Sequence, residues 1–219
     1  MPPSRALRPA EVPADRHPGA DPAFRAAVAE LEAAVADQRQ RRPEISFDGE
    51  PPPRRLAPQA AAVAATVEVA GNEIGWGRFV LLYDPAGQDG WAGPFRVIGY
   101  VRAQLEPEIA ADPLVGQVGW SWLTEALEAR SAGYAAPSGT VTRVVTEGFG
   151  TKQEEPVATE FEMRASWSPT SADDDFELGR HLAAWADTLC VASGLPPLPA
   201  GVAQLRPPQS RPPRVRRQP

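Results

Sequence analysis

Where the prolines fall sets the outer limits of any fold this chain can adopt. Prolines number 26 in 219 residues, and they concentrate in residues 1–22, 43–58 and 196–219. Each one removes a backbone donor and drives the preceding residue toward extended conformations, so helices and central strands belong to the segments between them. The spacing predicts a disordered arm over residues 1–20, one domain over 21–205 and a basic Arg/Pro tail over 206–219. Within the domain, 43–58 reads as a Pro-rich linker. Hydrophobic residues make up 42% of the chain and charged residues 23%, enough apolar material for a core.

Between the proline stretches the hydrophobic period changes several times. Asp21-Pro22 opens a helix, with Asp as cap and Pro at the first helical position, and Phe24, Val28, Leu31 and Val35 form its apolar stripe. Ala61 to Val69, Trp76 to Tyr83 and Phe95 to Leu105 read as consecutive strands. Turn residues lie between them, at Gly71-Asn72 and over 84–94. A second helix is expected from Asp112-Pro113, carrying Leu114, Val115, Val118, Trp122, Leu123, Ala126 and Leu127, with Gly133 as its left-handed stop. Thr140 to Thr146 and Thr159 to Trp167 are two further strands, the latter alternating Phe161, Met163, Ala165 and Trp167 with Glu160, Glu162, Arg164 and Ser166. A last helix is expected to start among Asp173, Asp174 and Asp175, to carry Leu178, Leu182, Trp185 and Leu189, and to end at Gly194. The order α-β-β-β-α-β-β-α predicts an α+β fold, a five-stranded antiparallel sheet with three helices. Small dimeric secretion chaperones share this element order, an analogy of topology that carries no function with it.

Charge is uneven. The tail carries Arg206, Arg211, Arg214, Arg216 and Arg217 without an acid, and the arm is net positive by one. Of the formal charge of −6, residues 21–205 therefore hold −12. An acidic body disfavours nucleic-acid binding except through the Arg tail, where five charges without interleaved aromatics give at most salt-sensitive, non-specific attraction. No apolar run reaches the length of a membrane span, and the N-terminus lacks the apolar stretch of a secretory signal. The single cysteine, Cys190, fits a reducing cytoplasm.

The residues offer little catalytic chemistry. His17 lies in the arm, which leaves His181, one turn before Trp185 on the flank of an apolar stripe. Gly148-Phe149-Gly150 follows a strand without opening a helix, so it does not make a phosphate cradle. Glu106 and Glu108 would point the same way from an extended chain, with Asp112 close by. Asp84 and Asp89 bracket a glycine-rich loop. Either set has the oxygen chemistry of a hard-cation site, but both are ordinary turn and cap sequences, and no metal or cofactor is expected. Tryptophans number 6. Trp120 and Trp122 lie two apart on a helix and cannot both face one core, and Trp91 falls in a loop. Exposed indoles of this kind suit contact with a partner.

Eight ordered segments carry a family resemblance: RPEI at 42–45, PRRLAP at 53–58, GRFVLLYDPAGQ at 77–88, FRVIGYVRAQLEPE at 95–108, DPL-x4-GWSWL at 112–123, SGTVTR at 138–143, RASWSP at 164–169 and HLAAWADTLC-x4-LPP at 181–197. Over residues 21–197 the chain resembles the actinobacterial domain-of-unknown-function family numbered three thousand. The resemblance implies an actinobacterial cytoplasmic protein and supplies no activity, cofactor or catalytic residue. The leading expectation is a non-enzymatic, adaptor or chaperone-like module. It would bind a protein partner through an exposed sheet face or edge and the Trp91/Trp120 region, and a homodimer is compatible with it. The competing expectation is a small-ligand protein or enzyme built on Glu106, Glu108, Asp112 and His181. A third is RNA association through the tail.

Overall fold

The computed structural model describes residues 12, 19–171 and 175–198. The expected disorder of the arm (Val12, Gly19 and Ala20 aside), the Arg tail, and Asp173 and Asp174 at the start of the last helix lie outside the described residues.

Helix α1 (Pro22–Arg41) begins as its sequence requires: Asp21 Oδ1 accepts from Ala23 N at 2.9 Å, with Pro22 in the first turn. It buries Phe24, Ala27, Leu31 and Val35, a stripe shifted slightly from the expected one because Val28 sits at its margin. Strands β1 (Ile45–Gly49), β2 (Gln59–Val69), β3 (Asn72–Tyr83) and β4 (Phe95–Gln104) follow as an antiparallel meander. After the short α2 (Pro107–Ala110) and α3 (Val115–Ala129), the hairpin β5 (Tyr134–Thr146) and β6 (Ala158–Pro169) completes the sheet. The last helix, α4, spans Leu178–Ala192. The hairpin folds back so that β6 pairs with β4 and β5 becomes the edge, giving the order β1-β2-β3-β4-β6-β5.

Among the described residues the sheet therefore has six strands where five were expected, and α-helices number four where three were expected. The added strand falls inside the segment read as a linker. Ile45 and Phe47 alternate with Ser46, so a two-residue period is present there, and both apolar residues are buried. The flanking prolines hid it. The added helix, α2, is a single turn starting on Pro107. Helix α3 starts three residues later than Asp112, whose Oδ1 caps the chain by accepting from Leu114 N at 2.8 Å. Its C-terminal left-handed residue is Ser131 (φ 52°) rather than Gly133, whereas Gly194 (φ 80°) does end α4.

All the long helices lie on one sheet face. Helix α4 runs over the middle strands, with α1 on the β1 side and α3 on the β5 side. The core between them holds Phe79, Leu81, Val97, Val101, Phe161, Met163 and Trp167 from the sheet, and Leu178, Leu182, Trp185 and Leu189 from α4. Trp185 settles into a notch at Gly77 and Gly99. A Cβ on Gly77 would stand 2.7 Å from the indole Cζ2, and Trp185 Nε1 donates to the Tyr100 carbonyl at 3.1 Å.

Candidate functional site

Among the described residues the opposite sheet face carries no helix. It is partly roofed by the 84–94 loop, which Asp84 organises: its Oδ1 accepts from Ala86 N at 3.1 Å and its Oδ2 from Gln88 Nε2 at 3.1 Å. Gln88 also donates to the Leu56 carbonyl, and Arg78 donates to the Pro51 carbonyl at 2.8 Å, so the proline-rich segment is tied to the same face. Under this roof Ala60, Ala62, Val80 and Leu82 form a small second apolar cluster, and Trp91 packs on it beside Ile98.

Next to the cluster an open groove of about 930 Å³ runs from the Trp91 loop to the Ala136–Thr140 part of β5. Arg96, from the start of β4, lies in its floor and is only 9% exposed. Its guanidinium reaches across the neighbouring strands. Nη1 donates to the Ala136 carbonyl at 3.0 Å and Ser168 Oγ at 3.3 Å, and Nη2 donates to Ser166 Oγ at 2.7 Å and Ser138 Oγ at 3.3 Å. Every one of these acceptors is neutral, and among the described residues no carboxylate pairs with Arg96. Burial pushes its pKa below the ordinary arginine value, yet a guanidinium remains protonated at any working pH. Arg164 stands at the rim, its side chain 72% exposed, stacked 5.7 Å from the Tyr100 ring centroid and 3.7 Å from Glu162. Asp89 is the acid among the lining residues.

The residues singled out from sequence scatter over the fold. Trp91 lines the open groove, whereas Trp120 packs from the helical side against Gly139 of β5. The two indoles therefore flank opposite faces of the sheet. Trp122 stacks on Phe161 with ring centroids 5.5 Å apart. Glu106 and Glu108 are both exposed, and the helical turn at α2 replaces the extended geometry that would have aligned them. His181 is fully buried under α4, where its Nδ1 accepts from Trp167 Nε1 at 3.0 Å. Desolvation pushes its pKa down to about 4, against a smaller upward pull from the Phe176 backbone. Cys190 is also buried, and burial pushes its thiol up to about 12. Glu106, Glu108 and His181 thus share no concavity, and among the described residues no three His, Cys, Asp or Glu side chains are placed to hold a metal. Sequence reasoning missed Arg96, Ser138 and Ser168. The one visible signal was the outward phase of β6, in which Arg164 and Ser166 share a face.

The β5 edge is the other conspicuous feature. None of its 13 residues is buried, Arg143 is its one charged residue, and its outer side has no strand partner among the described residues. Arg143 is itself committed, donating to the carbonyls of Ala110 (3.0 Å) and Asp112 (3.2 Å) and so fastening the α2–α3 turn beside the edge. Of the large apolar side chains exposed among the described residues, Ile109, Leu114, Val118, Val145, Phe149 and Val157 all belong to this part of the chain. At the far edge β1 has five residues, and Arg39 of α1 donates to its Phe47 carbonyl.

Among the described residues the arrangement defines an antiparallel α+β protein with one helix-covered face, one open grooved face and a single long free edge. Its family follows from comparison with known families. The model of a family described as "Protein of unknown function (DUF3000)" matches residues 20–203, and the chain belongs to that family. The eight motif segments thus pointed to the right family. No curated protein and no solved structure matches the chain. No helix among the described residues is long and apolar enough to cross a membrane.

Proposed function

We propose that the protein is a non-enzymatic binding module that takes a protein partner along the β5 edge and the adjoining open sheet face. The observation that carries this reading is the edge itself. A strand of 13 residues presents a row of outward backbone donors and acceptors; Pro137 and a bulge between Ala135 and Ser138 interrupt it near its start, and beyond them its one charge, Arg143, is committed to the α2–α3 turn. The exposed aliphatic residues around α2, the start of α3 and the β5–β6 connection extend the same surface, and clustered apolar exposure of this kind favours contact with protein. A cytoplasmic setting belongs to the reading and is supported by the lone, buried cysteine.

The test is a crosslinked pull-down from native lysate, with and without nuclease, comparing the full-length protein with a Thr142→Lys, Val145→Lys double variant. Both positions are exposed, so the lysines alter the edge and leave the core alone. A nuclease-resistant protein, a second copy of the chain included, recovered by the wild type and lost by the variant is the expected result. Equal recovery by both, or recovery of nothing reproducible, overturns the reading.

A further inference from the structure

We infer that the Arg96 groove is an oxyanion site that recognises an acidic side chain on an extended segment of the partner. The inference rests on the reading just given and adds the chemistry of recognition to it.

Three observations meet here. First, Arg96 brings a full positive charge into the floor with only neutral acceptors around it among the described residues, and a buried charge without a counter-ion favours any anion able to reach it. Second, the hydroxyl count leaves one hydrogen available to a ligand in the groove. Ser168 Oγ accepts from both Arg96 Nη1 and Ala92 N, so its lone pairs are filled, and it is fully buried. Ser138 and Ser166 differ: both accept from Arg96 Nη2, and their oxygens lie 3.2 Å apart. A hydroxyl has one hydrogen, so only one of the pair can donate to the other. The remaining hydrogen is free to rotate toward whatever occupies the groove, polarised by the arginine behind it. Third, the charged lining residues are Arg96, Arg164 and Asp89, and Arg164 stands 3.7 Å from Glu162, so Arg96 is the charge that remains for a ligand, on a domain whose residues 21–205 hold −12. A cationic site in such a domain selects acidic ligands.

The shape favours a peptide over a free small anion. Small-ligand sites enclose most of the ligand, whereas this groove is open along its length, with Trp91 and Ile98 at one end and the β5 backbone at the other. An extended segment lying in it would set a carboxylate over the Ser138/Ser166 pair, between Arg96 below and Arg164 at the rim, and an apolar residue against Trp91.

The test uses degenerate octapeptide pools that differ at one central position, fixed as Asp, Glu, Asn, Gln or Lys, measured against the full-length protein by fluorescence anisotropy. Inorganic phosphate and acetate are titrated separately, with the Arg96 side-chain Nε resonance as readout. The Asp and Glu pools should bind about tenfold better than the Asn and Gln pools, the size expected for a charge-assisted hydrogen bond. That preference should collapse in Ser138→Ala and weaken in Arg164→Gln, an exposed position. Arg96→Lys, which keeps the charge and loses the fork, should retain part of it. No acid preference, or a preference that survives Arg164→Gln and Ser138→Ala, overturns the inference. Phosphate or acetate moving the Arg96 resonance without any peptide preference also overturns it, in favour of a free anion. If acid preference is absent while edge-dependent capture persists, the inference falls alone; if capture is unaffected by the edge lysines while the acid preference stands, the wider reading falls.

Discussion

His181 shows how a lone titratable group acquires a role in stability instead of chemistry. It is buried against Trp167, accepts that indole's hydrogen bond, and has its pKa pushed down to about 4. In the unfolded chain it returns to the ordinary 6.5. Between these values the unfolded state binds more protons, so stability rises with pH from about 4 to 6.5 and is level above that. The full effect is about 3 kcal/mol, since each tenfold difference in proton affinity between the two states is worth about 1.4 kcal/mol. Urea unfolding at several pH values from about 4 to 7 should show this slope in the wild type. It should be flatter in His181→Gln, which keeps an acceptor for Trp167 Nε1; an unchanged slope would assign the acid sensitivity elsewhere. The flank position of His181 beside an apolar stripe was legible in the sequence. Its full burial was not, because that depends on Trp167 arriving from β6.

Among the elements, α4 and the strands beneath it were the most legible. Leu178, Leu182, Trp185 and Leu189 form the expected stripe, and all four are buried. What the period alone could not show is the notch that receives Trp185, because Gly77 and Gly99 are silent in any hydrophobic pattern. Gly77→Ala should cost about 1–3 kcal/mol, the usual range for overpacking a filled core. The added Cβ would meet both the indole and the Tyr100 carbonyl that the indole hydrogen-bonds. Chemical unfolding measures this, and the cost should shrink in a Trp185→Phe background if the indole is the obstacle. Strand β1 was obscured because prolines dominate its surroundings, although Ile45 and Phe47 keep the strand period. The groove was obscured for a different reason. Arg96, Ser138, Ser166 and Ser168 come from three strands, and they meet only through the register that sets Ser138 opposite Ser166 and places β6 between β4 and β5.

At the scale of the whole molecule, net charge and topology have separate consequences. Residues 21–205 repel themselves with a formal −12, and screening relieves such repulsion over distances of about 10 Å at 0.1 M salt. The melting temperature should therefore rise as sodium chloride is raised from about 20 to 300 mM, where the Debye length falls from roughly 20 to 6 Å. A fall would mean that ion pairs such as Arg130–Asp187 (2.7 Å) and Arg78–Glu50 (3.2 Å) outweigh the repulsion. Topology limits assembly more sharply. Among the described residues only β5 offers a long open side, since β1 is short and Arg39 of α1 donates to it. A unit with one adhesive side has a valence of one: joined to a like unit by that side, it consumes the only site it has. Were two copies to pair along β5, growth through that contact would stop at two chains, because each would have used the long edge it offers.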